Sequence, residues 1–191
     1  THIWVTLDRE GCVTVRDEAR GMPFDPMLYQ GDYWPAATVI LTVPHSGGKF
    51  EEGAYKTAGG LHGVGSTVIN ALSEKLELTI WKDGQCFTQV FSRGAALPYQ
   101  IEPCDPDLHG TMLRWLYDTT IFDADAYYSL ESIESRLKAA AYLNRGVYFH
   151  LDAWDDANEQ QVEHLYYSKE GLPDYVRDLA LSTAVPLVKQ V

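Results

Sequence analysis

The chain has 191 residues, of which 46% are hydrophobic and 22% charged, as is typical of an ordered globular domain. Its net charge of −12 at pH 7 repels the DNA backbone, so we expect any strong DNA contact to lie outside this segment. Cys12, Cys86 and Cys104 are far apart and form no CxxC pair, which argues against a disulfide framework or zinc site and for a reducing cytoplasm. The sequence contains neither a secretory signal nor an apolar run long enough for a membrane span, so no membrane partner is expected.

The first predicted element is a strand over residues 2–7, followed by a turn and a second strand over residues 12–15. Because the chain opens on an apolar strand without an initiating Met, we expect it to begin inside a domain; an ordinary N-terminal edge strand is the alternative. The second strand ends near Asp17, and the sequence Asp-Glu-Ala-Arg-Gly (17–21) precedes a Pro-fixed turn. A carboxylate there can face a pocket and accept a hydrogen bond, although the pattern alone favours a solvated acid in a turn.

The next stretch, residues 24–35, is predicted to be irregular, because it contains two prolines and a glycine. The apolar run at residues 36–43 is too short for periodicity to separate a helix from a strand.

The most informative stretch is the glycine-rich segment at residues 45–74, which holds seven of the fifteen glycines. Its pattern changes after Gly65 to helical spacing, with Ser66 as the predicted N-cap. A glycine-rich loop that leads into a helix presents backbone N–H groups to an anion, so we predict a phosphate site. The segment matches neither a P-loop nor a dinucleotide fingerprint, and a ligand-free surface loop is the alternative.

The remaining elements follow from alternation, turn residues and helical periodicity. We predict strands at 77–80, 87–91 and 113–116, a hairpin turn at 82–84, a helix at 129–143, a hairpin of 147–154 with 161–167, and a short helix at 173–181.

Five sequence blocks together resemble the ATP-binding domain of type IIA topoisomerase B subunits, the gyrase B and topoisomerase IV family. The blocks are DEARG (17–21), GGKF (47–50), YK (55–56), GGLHGVGSTVINALSE (59–74) and GTMLRW (110–115). This family belongs to a wider ATPase group with MutL repair proteins, a heat-shock chaperone and sensor histidine kinases. The resemblance implies an α+β fold: a two-layer α/β sandwich with a mixed, mainly antiparallel sheet and helices on one face. It also implies that residues 36–43 are helical.

The resemblance further implies an ATP site in which Asp17 accepts from the adenine amine and Thr111 places a hydroxyl nearby. Residues 45–60 would form a lid over the nucleotide, and the backbone around His62 would line the phosphates; His62 as a base or metal ligand is the alternative. The implied ATP-binding residues are Asp17, Gly21, Lys49, Tyr55, Gly60, Leu61, His62, Gly63, Val64, Gly65, Ser66 and Thr111, with Arg20, Pro23, Ile40 and Thr88 at the pocket rim. Two positions depart from the family pattern, since Ala19 replaces the first glycine of DxGxG and Thr88 stands where many gyrases carry Arg.

In this family the base Glu and the magnesium-holding Asn precede the first strand, and a phosphate-sensing Lys comes from a following domain. Residues 1–191 are therefore expected to be an ATP-binding fragment that lacks the N-terminal helix and the downstream transducer domain, with no catalytic residue or metal ligand of its own. The implied cofactors are ATP and Mg²⁺.

The implied partners are a DNA-cleaving A-type subunit, DNA through other domains, a second copy of the B-type subunit on ATP binding, and ATP-competitive inhibitors; the fragment itself is expected to be monomeric. A chaperone-like or regulatory nucleotide-binding module and a pseudo-ATPase of the same fold remain alternatives.

Overall fold

The computed structural model describes residues 1–46, 64–123, 125–155 and 158–182. The chain divides into a terminal unit, built from Thr1–Arg9 and the residues from Tyr127 onward, and a central unit, Glu10–Ala126. In chain order the elements are β1 (His2–Leu7), β2 (Val13–Asp17), β3 (Pro26–Tyr29), β4 (Asp32–Pro35), α1 (Ala36–Thr42), α2 (Gly65–Ala71), β5 (Ser73–Lys82), β6 (Gln85–Ser92), β7 (Ala95–Pro103), β8 (Gly110–Tyr117), α3 (Leu130–Leu143), β9 (Tyr148–Asp155), β10 (Gln160–Tyr166) and α4 (Leu172–Ser182).

The central unit is an antiparallel sheet in the order β2-β8-β5-β6-β7, with α1 packed on one face. Alternate residues of β5 and β6 point to this face, as the strand period of two requires. The core cluster consists of Ala37 and Leu41 from α1, Leu76, Leu78 and Ile80 from β5, and Phe87 and Phe91 from β6. Met22 and Phe24 pack against it, so the chain that follows β2 borders the same core.

Two tight turns fix the register of the central hairpins. Asp83 and Gly84 have φ of 53° and 73°, and Arg93 and Gly94 have φ of 47° and 82°. Positive φ at both central residues matches the twist of a two-residue hairpin. The hairpin turn predicted at residues 82–84 is thereby confirmed.

Two strand regions of the central unit were not predicted from the sequence. The stretch expected to be irregular contains the hairpin β3–β4, whose turn residues Gln30 and Gly31 both have positive φ. The edge strand β7 pairs with β6 over a stretch for which no element was predicted. Both lie at exposed positions and contain proline, which weakens the alternation that marks a buried strand.

The terminal unit contains β1 parallel to β9 and β9 antiparallel to β10. Phe149, Leu151 and Ala153 of β9 are buried. The Ser129 side chain caps α3 by accepting from the backbone N–H of Ser132 at 3.2 Å. The helix, the hairpin and the last helix that were predicted for this part of the chain are confirmed, with bounds shifted by a residue or so.

The α+β class with a mixed, mainly antiparallel sheet is confirmed, and so is the helix implied for residues 36–43. In the part of the chain that the structure describes, no helix is long and apolar enough to cross a membrane.

Candidate nucleotide-binding site

The site begins where β2 ends, at Asp17, beside the first residues of β8. The β2–β8 pairing runs through Arg16 opposite Met112, so Asp17 leaves the sheet next to Thr111. The loop that follows returns to β8, because the Met22 N–H donates to Thr111 Oγ1 at 3.0 Å. Two residues that are far apart in the sequence therefore lie at one corner of the central sheet.

The Asp17 carboxylate is oriented by its own loop, since the Ala19 N–H donates to Asp17 Oδ1 at 2.8 Å. A carboxylate has about four lone-pair positions, so this bond leaves capacity to accept from a ligand amine. Thr111 is 9% exposed. Its hydroxyl accepts from Met22 and still carries a hydrogen to donate. The corner thus offers an acceptor and a donor side by side.

Glycine is required at two positions of this corner. Gly21 has a φ of +76°, and a Cβ there would lie 2.9 Å from the Trp81 carbonyl oxygen. Gly110 has a φ of +125°, and a Cβ there would overlap the Asp17 carbonyl oxygen. Both glycines let the loop lie directly against the sheet, which an L side chain would prevent.

Ala19 departs from the family glycine without backbone strain. Its φ is not positive, and its side chain is exposed. The conformation at this position therefore accepts alanine, whereas the one at Gly21 does not.

A second group of predicted residues meets where α2 packs against the end of α1. The Ser66 and Thr67 hydroxyls donate to the Ile40 carbonyl at 3.3 and 3.2 Å. Asn70, which is 1% exposed, donates from Nδ2 to the Leu41 carbonyl at 3.0 Å and to the Gly94 carbonyl at 3.2 Å. Side chains of α2 thus satisfy carbonyls in the last turn of α1 that have no partner within that helix.

The prediction of Ser66 as the N-cap of α2 is wrong. The N-cap is Val64, the helix begins at Gly65, and the cap has no side-chain hydrogen bond. Ser66 lies inside the first turn, and its hydroxyl is engaged with α1 instead. Among the described residues, no atom lies within 4 Å of a Cβ placed at Gly65.

Several predicted residues are not brought into either group. Arg20 and Pro23 are exposed on the loop after Asp17. Thr88 pairs with Thr79, whereas Ile80 pairs with both Phe87 and Thr111. Since paired residues point to the same face, Thr88 lies on the face opposite Thr111. The predicted residues that lie outside the described part of the chain are Lys49, Tyr55, Gly60, Leu61, His62 and Gly63.

Two residues of the Asp17 corner were not predicted from the sequence. Met22 contributes its backbone N–H to Thr111, and His109 Nδ1 lies 3.0 Å from the Ala19 carbonyl oxygen. His109 directly precedes the Gly-Thr pair that the resemblance singled out, so its position beside that pair was the available signal.

The face of the central sheet that carries Thr88 also contains a cavity of about 430 Å³. Its lining is formed by Glu77, Leu78, Thr79, Thr88, Gln89, Val90, Pro98, Gln100 and Met112. None of the residues of the Asp17 corner lines this cavity.

In the described ranges, no three His, Cys, Asp or Glu side chains lie close enough together to hold a metal ion. This part of the chain therefore offers hydrogen-bonding groups for an organic ligand and no metal cage built from protein side chains.

Comparison with known proteins gives consistent matches. Residues 1–95 match the family described as histidine kinase-, DNA gyrase B- and HSP90-like ATPase. The chain is 38% identical over 187 residues to the DNA gyrase B protein of Staphylococcus epidermidis, covering 98% of this chain and 28% of that protein. It is 40% identical over 189 residues to the DNA topoisomerase 4 B protein of Caulobacter vibrioides, covering 96% of this chain and 27% of that protein.

A solved structure also matches, the 43K ATPase domain of Thermus thermophilus gyrase B in complex with an aminocoumarin. The TM-score is 0.76 at 30% identity, and the match covers 94% of this chain and 43% of that one. The chain spans about 28% of the length of the gyrase B protein that it matches. From these matches and the fold, the chain belongs to the histidine kinase-, DNA gyrase B- and HSP90-like ATPase family, in which its similarity is to the gyrase B and topoisomerase IV B proteins.

Proposed function

We propose that this chain is the ATP-binding part of the B-type subunit of an ATP-dependent type IIA DNA topoisomerase, of the gyrase or topoisomerase IV kind. The observation that carries the proposal is the Asp17 corner, where a carboxylate acceptor and the Thr111 hydroxyl lie together beside the core. Family membership supports the same assignment.

The chemistry of the corner suits adenine. The adenine edge presents an amine donor next to a ring-nitrogen acceptor, and Asp17 with Thr111 offers the reverse pair. Guanine and hypoxanthine carry a carbonyl where adenine carries its amine, so they would set an acceptor against the carboxylate. In this proposal, Asp17 and Thr111 together recognise the adenine base.

The phosphates are assigned to the glycine-rich segment and the start of α2. In this assignment Lys49 and Tyr55 contact the phosphates, and the backbone from Gly60 through Ser66 supplies N–H donors. Support from the described residues is the attachment of α2 to Ile40 through the Ser66 and Thr67 hydroxyls, which holds the start of this helix in place. Arg20, Pro23 and Ile40 are proposed to border the nucleotide.

Mg²⁺ is proposed to arrive with the nucleotide. Mg²⁺ usually keeps several waters and binds through phosphates with one or two protein ligands, so a protein-built cage is not expected for it. The described residues contain none. This stretch is assigned nucleotide recognition, and hydrolysis is assigned to the whole protein.

For the whole protein, we propose that ATP binding closes two B-type subunits as a gate for DNA passage, together with a DNA-cleaving A-type subunit. A cytoplasmic location fits that role and the three cysteines, none of which is in a disulfide. ATP-competitive inhibitors are proposed to occupy the Asp17 corner.

The first test is calorimetric titration of the full chain with Mg²⁺ and a non-hydrolysable ATP analogue. We expect micromolar binding, about −8 kcal/mol. Asp17→Asn keeps an oxygen for the Ala19 N–H but replaces the other acceptor with a donor, so we expect it to weaken binding about a hundredfold, or about 3 kcal/mol. Asp83→Asn, in an exposed turn, is the matched control and should bind as the wild type does.

Absence of wild-type binding at millimolar analogue would overturn the nucleotide assignment. The topoisomerase assignment is tested in the whole protein together with its A-type partner, where ATP should be required for a change of plasmid supercoiling. Nucleotide binding without such activity would favour a chaperone-like, regulatory or pseudo-ATPase role.

A further inference from the structure

The His109 side chain links the start of β8 to the loop that carries Asp17. Its Nδ1 atom lies 3.0 Å from the Ala19 carbonyl oxygen. Because a carbonyl oxygen only accepts, Nδ1 must carry the hydrogen in this contact.

Ala19 is the residue through which this contact reaches Asp17. Its N–H donates to Asp17 Oδ1, and its carbonyl accepts from His109. The two bonds fix both polar groups of residue 19, and one of those groups orients the carboxylate. A change at His109 is therefore transmitted to Asp17 through a single residue.

Of the contacts that hold the loop after Asp17 against β8, the one between His109 and Ala19 can be removed without disturbing the buried residues. Gly110 holds the loop by close backbone approach, and Thr111 holds it through the Met22 N–H. Thr111 is buried, whereas His109 and Ala19 are exposed and contact each other at the open side of the loop. His109 can thus be replaced without opening a cavity in the core.

We infer that His109 is a positioning residue for base recognition, which aligns the Asp17 carboxylate by holding the Ala19 carbonyl. The inference rests on the proposed nucleotide function of the Asp17 corner and adds a residue to it. It predicts that His109 affects selectivity for the base more than affinity for the phosphates, because the carboxylate that it orients meets only the base.

The test compares two nearly isosteric substitutions, His109→Leu and His109→Asn. The Asn amide places a donor close to the position of Nδ1, whereas Leu has no donor. Each variant is titrated with ADP and with IDP, which carries a carbonyl in place of the adenine amine. The wild type is expected to bind ADP more tightly than IDP.

We expect His109→Leu to weaken ADP binding about threefold to tenfold, the value of one exposed hydrogen bond, and to leave IDP binding nearly unchanged. His109→Asn should restore most of the ADP to IDP ratio. The matched control is His164→Leu, because His164 is also exposed but lies in the terminal unit. This variant should bind ADP and IDP as the wild type does.

Each other outcome is decisive. Wild-type selectivity in His109→Leu would overturn the inference and leave the proposed function intact. Equal losses for ADP and IDP, not rescued by Asn, would assign His109 a purely structural role and also overturn it. A wild-type chain that binds neither nucleotide would overturn the proposed function itself.

Discussion

Gly110 and Asp17 approach each other so closely that a Cβ atom at position 110 would overlap the Asp17 carbonyl oxygen. This contact sets the end of β2 against the start of β8 and brings the Asp17 carboxylate beside Thr111. The glycine at 110 is therefore a structural condition for the proposed base-recognition corner, in addition to being part of a recognisable motif.

The first prediction concerns this glycine. Gly110→Ala should lower the free energy of unfolding by about 3 kcal/mol, because backbone strain adds to the overlap with Asp17. Gly31→Ala is the control, since Gly31 also has a positive φ, but none of the described residues comes within 4 Å of a Cβ placed there. It should cost only about 1 kcal/mol. Urea denaturation measures the unfolding free energy of both variants. Equal losses of stability would show that the backbone at residue 110 shifts enough to remove the overlap.

The second prediction concerns a buried polar pair between α1 and β6. The Thr38 hydroxyl donates to Gln89 Oε1 at 2.7 Å, and these residues are 2% and 4% exposed. Thr38→Val leaves the Gln89 oxygen without its donor, which should cost about 2 kcal/mol. In the double variant Thr38→Val with Gln89→Met, the loss should be smaller than the sum of the single losses by about 1 kcal/mol.

Urea unfolding of the wild type, the two single variants and the double variant completes a double-mutant cycle. It gives the coupling free energy between Thr38 and Gln89 directly. Strict additivity would mean that the two side chains stabilise the fold independently of each other.

The third prediction concerns Asp118, which is fully buried at the end of β8. The Thr120 backbone N–H donates to its Oδ1 at 2.9 Å, and Arg93 Nε donates to its Oδ2 at 2.6 Å. The Thr120 N–H first, and then the Arg93 side chain, lower the pKa of Asp118 to about 2. Because the folded pKa lies below the unfolded value, the stabilisation is present above pH 4 and is lost as the pH falls towards 2.

Asp118→Asn should therefore be less stable than the wild type at pH 7, and the difference should shrink between pH 4 and pH 2. Unfolding free energies measured across this range test the prediction. Asp83→Asn, which changes an exposed carboxylate, serves as the control. A difference that does not depend on pH would show that the carboxylate charge does not stabilise the native state.

The fourth prediction concerns Tyr142, whose hydroxyl donates to Asp178 across α3 and α4 in the terminal unit. Burial first, and then the hydrogen bond to Asp178, raise the pKa of Tyr142 to about 12. A raised folded pKa means that the stabilisation is complete below pH 10 and is lost as the pH rises through 12. The wild type should therefore be more stable than Tyr142→Phe at pH 8, and this advantage should diminish towards pH 12.

Unfolding at pH 8, 10 and 11 measures this difference. Lys138→Met is a useful comparison, because the Lys138 ammonium also contacts Asp178, at 3.8 Å, without involving the phenol. If the wild type stayed more stable than Tyr142→Phe by the same amount from pH 8 to pH 11, the stabilisation would not depend on ionisation of the Tyr142 phenol.

Elements marked by local signals could be predicted from the sequence. The helix predicted at residues 129–143 is α3, Asp83 and Gly84 form the predicted hairpin turn, and β2 ends at Asp17. Each signal needs only a few neighbouring residues, because caps and turns are satisfied by backbone groups within one turn of chain. Residues 36–43 required the family resemblance, since their apolar run is compatible with either a helix or a strand.

Other features depended on partners far along the chain. β7 is an exposed edge strand with Pro98 inside it, so its pattern alone did not indicate pairing with β6. Ser66 is a good N-cap type, but its hydroxyl donates to the Ile40 carbonyl of α1, and the N-cap is Val64, two residues earlier. In both cases a tertiary contact prevailed over the local preference.

The sequence by itself determined the family and two residues of the proposed base-recognition corner, Asp17 and Thr111, because DEARG, the glycine-rich block and GTMLRW are contiguous strings. Only the tertiary structure decided that His109 contacts Ala19 and that Thr88 faces away from Thr111. The physical reason is strand pairing: alternation along one strand shows that neighbours point to opposite faces, but which residues share a face is fixed by the register with strands distant in the chain.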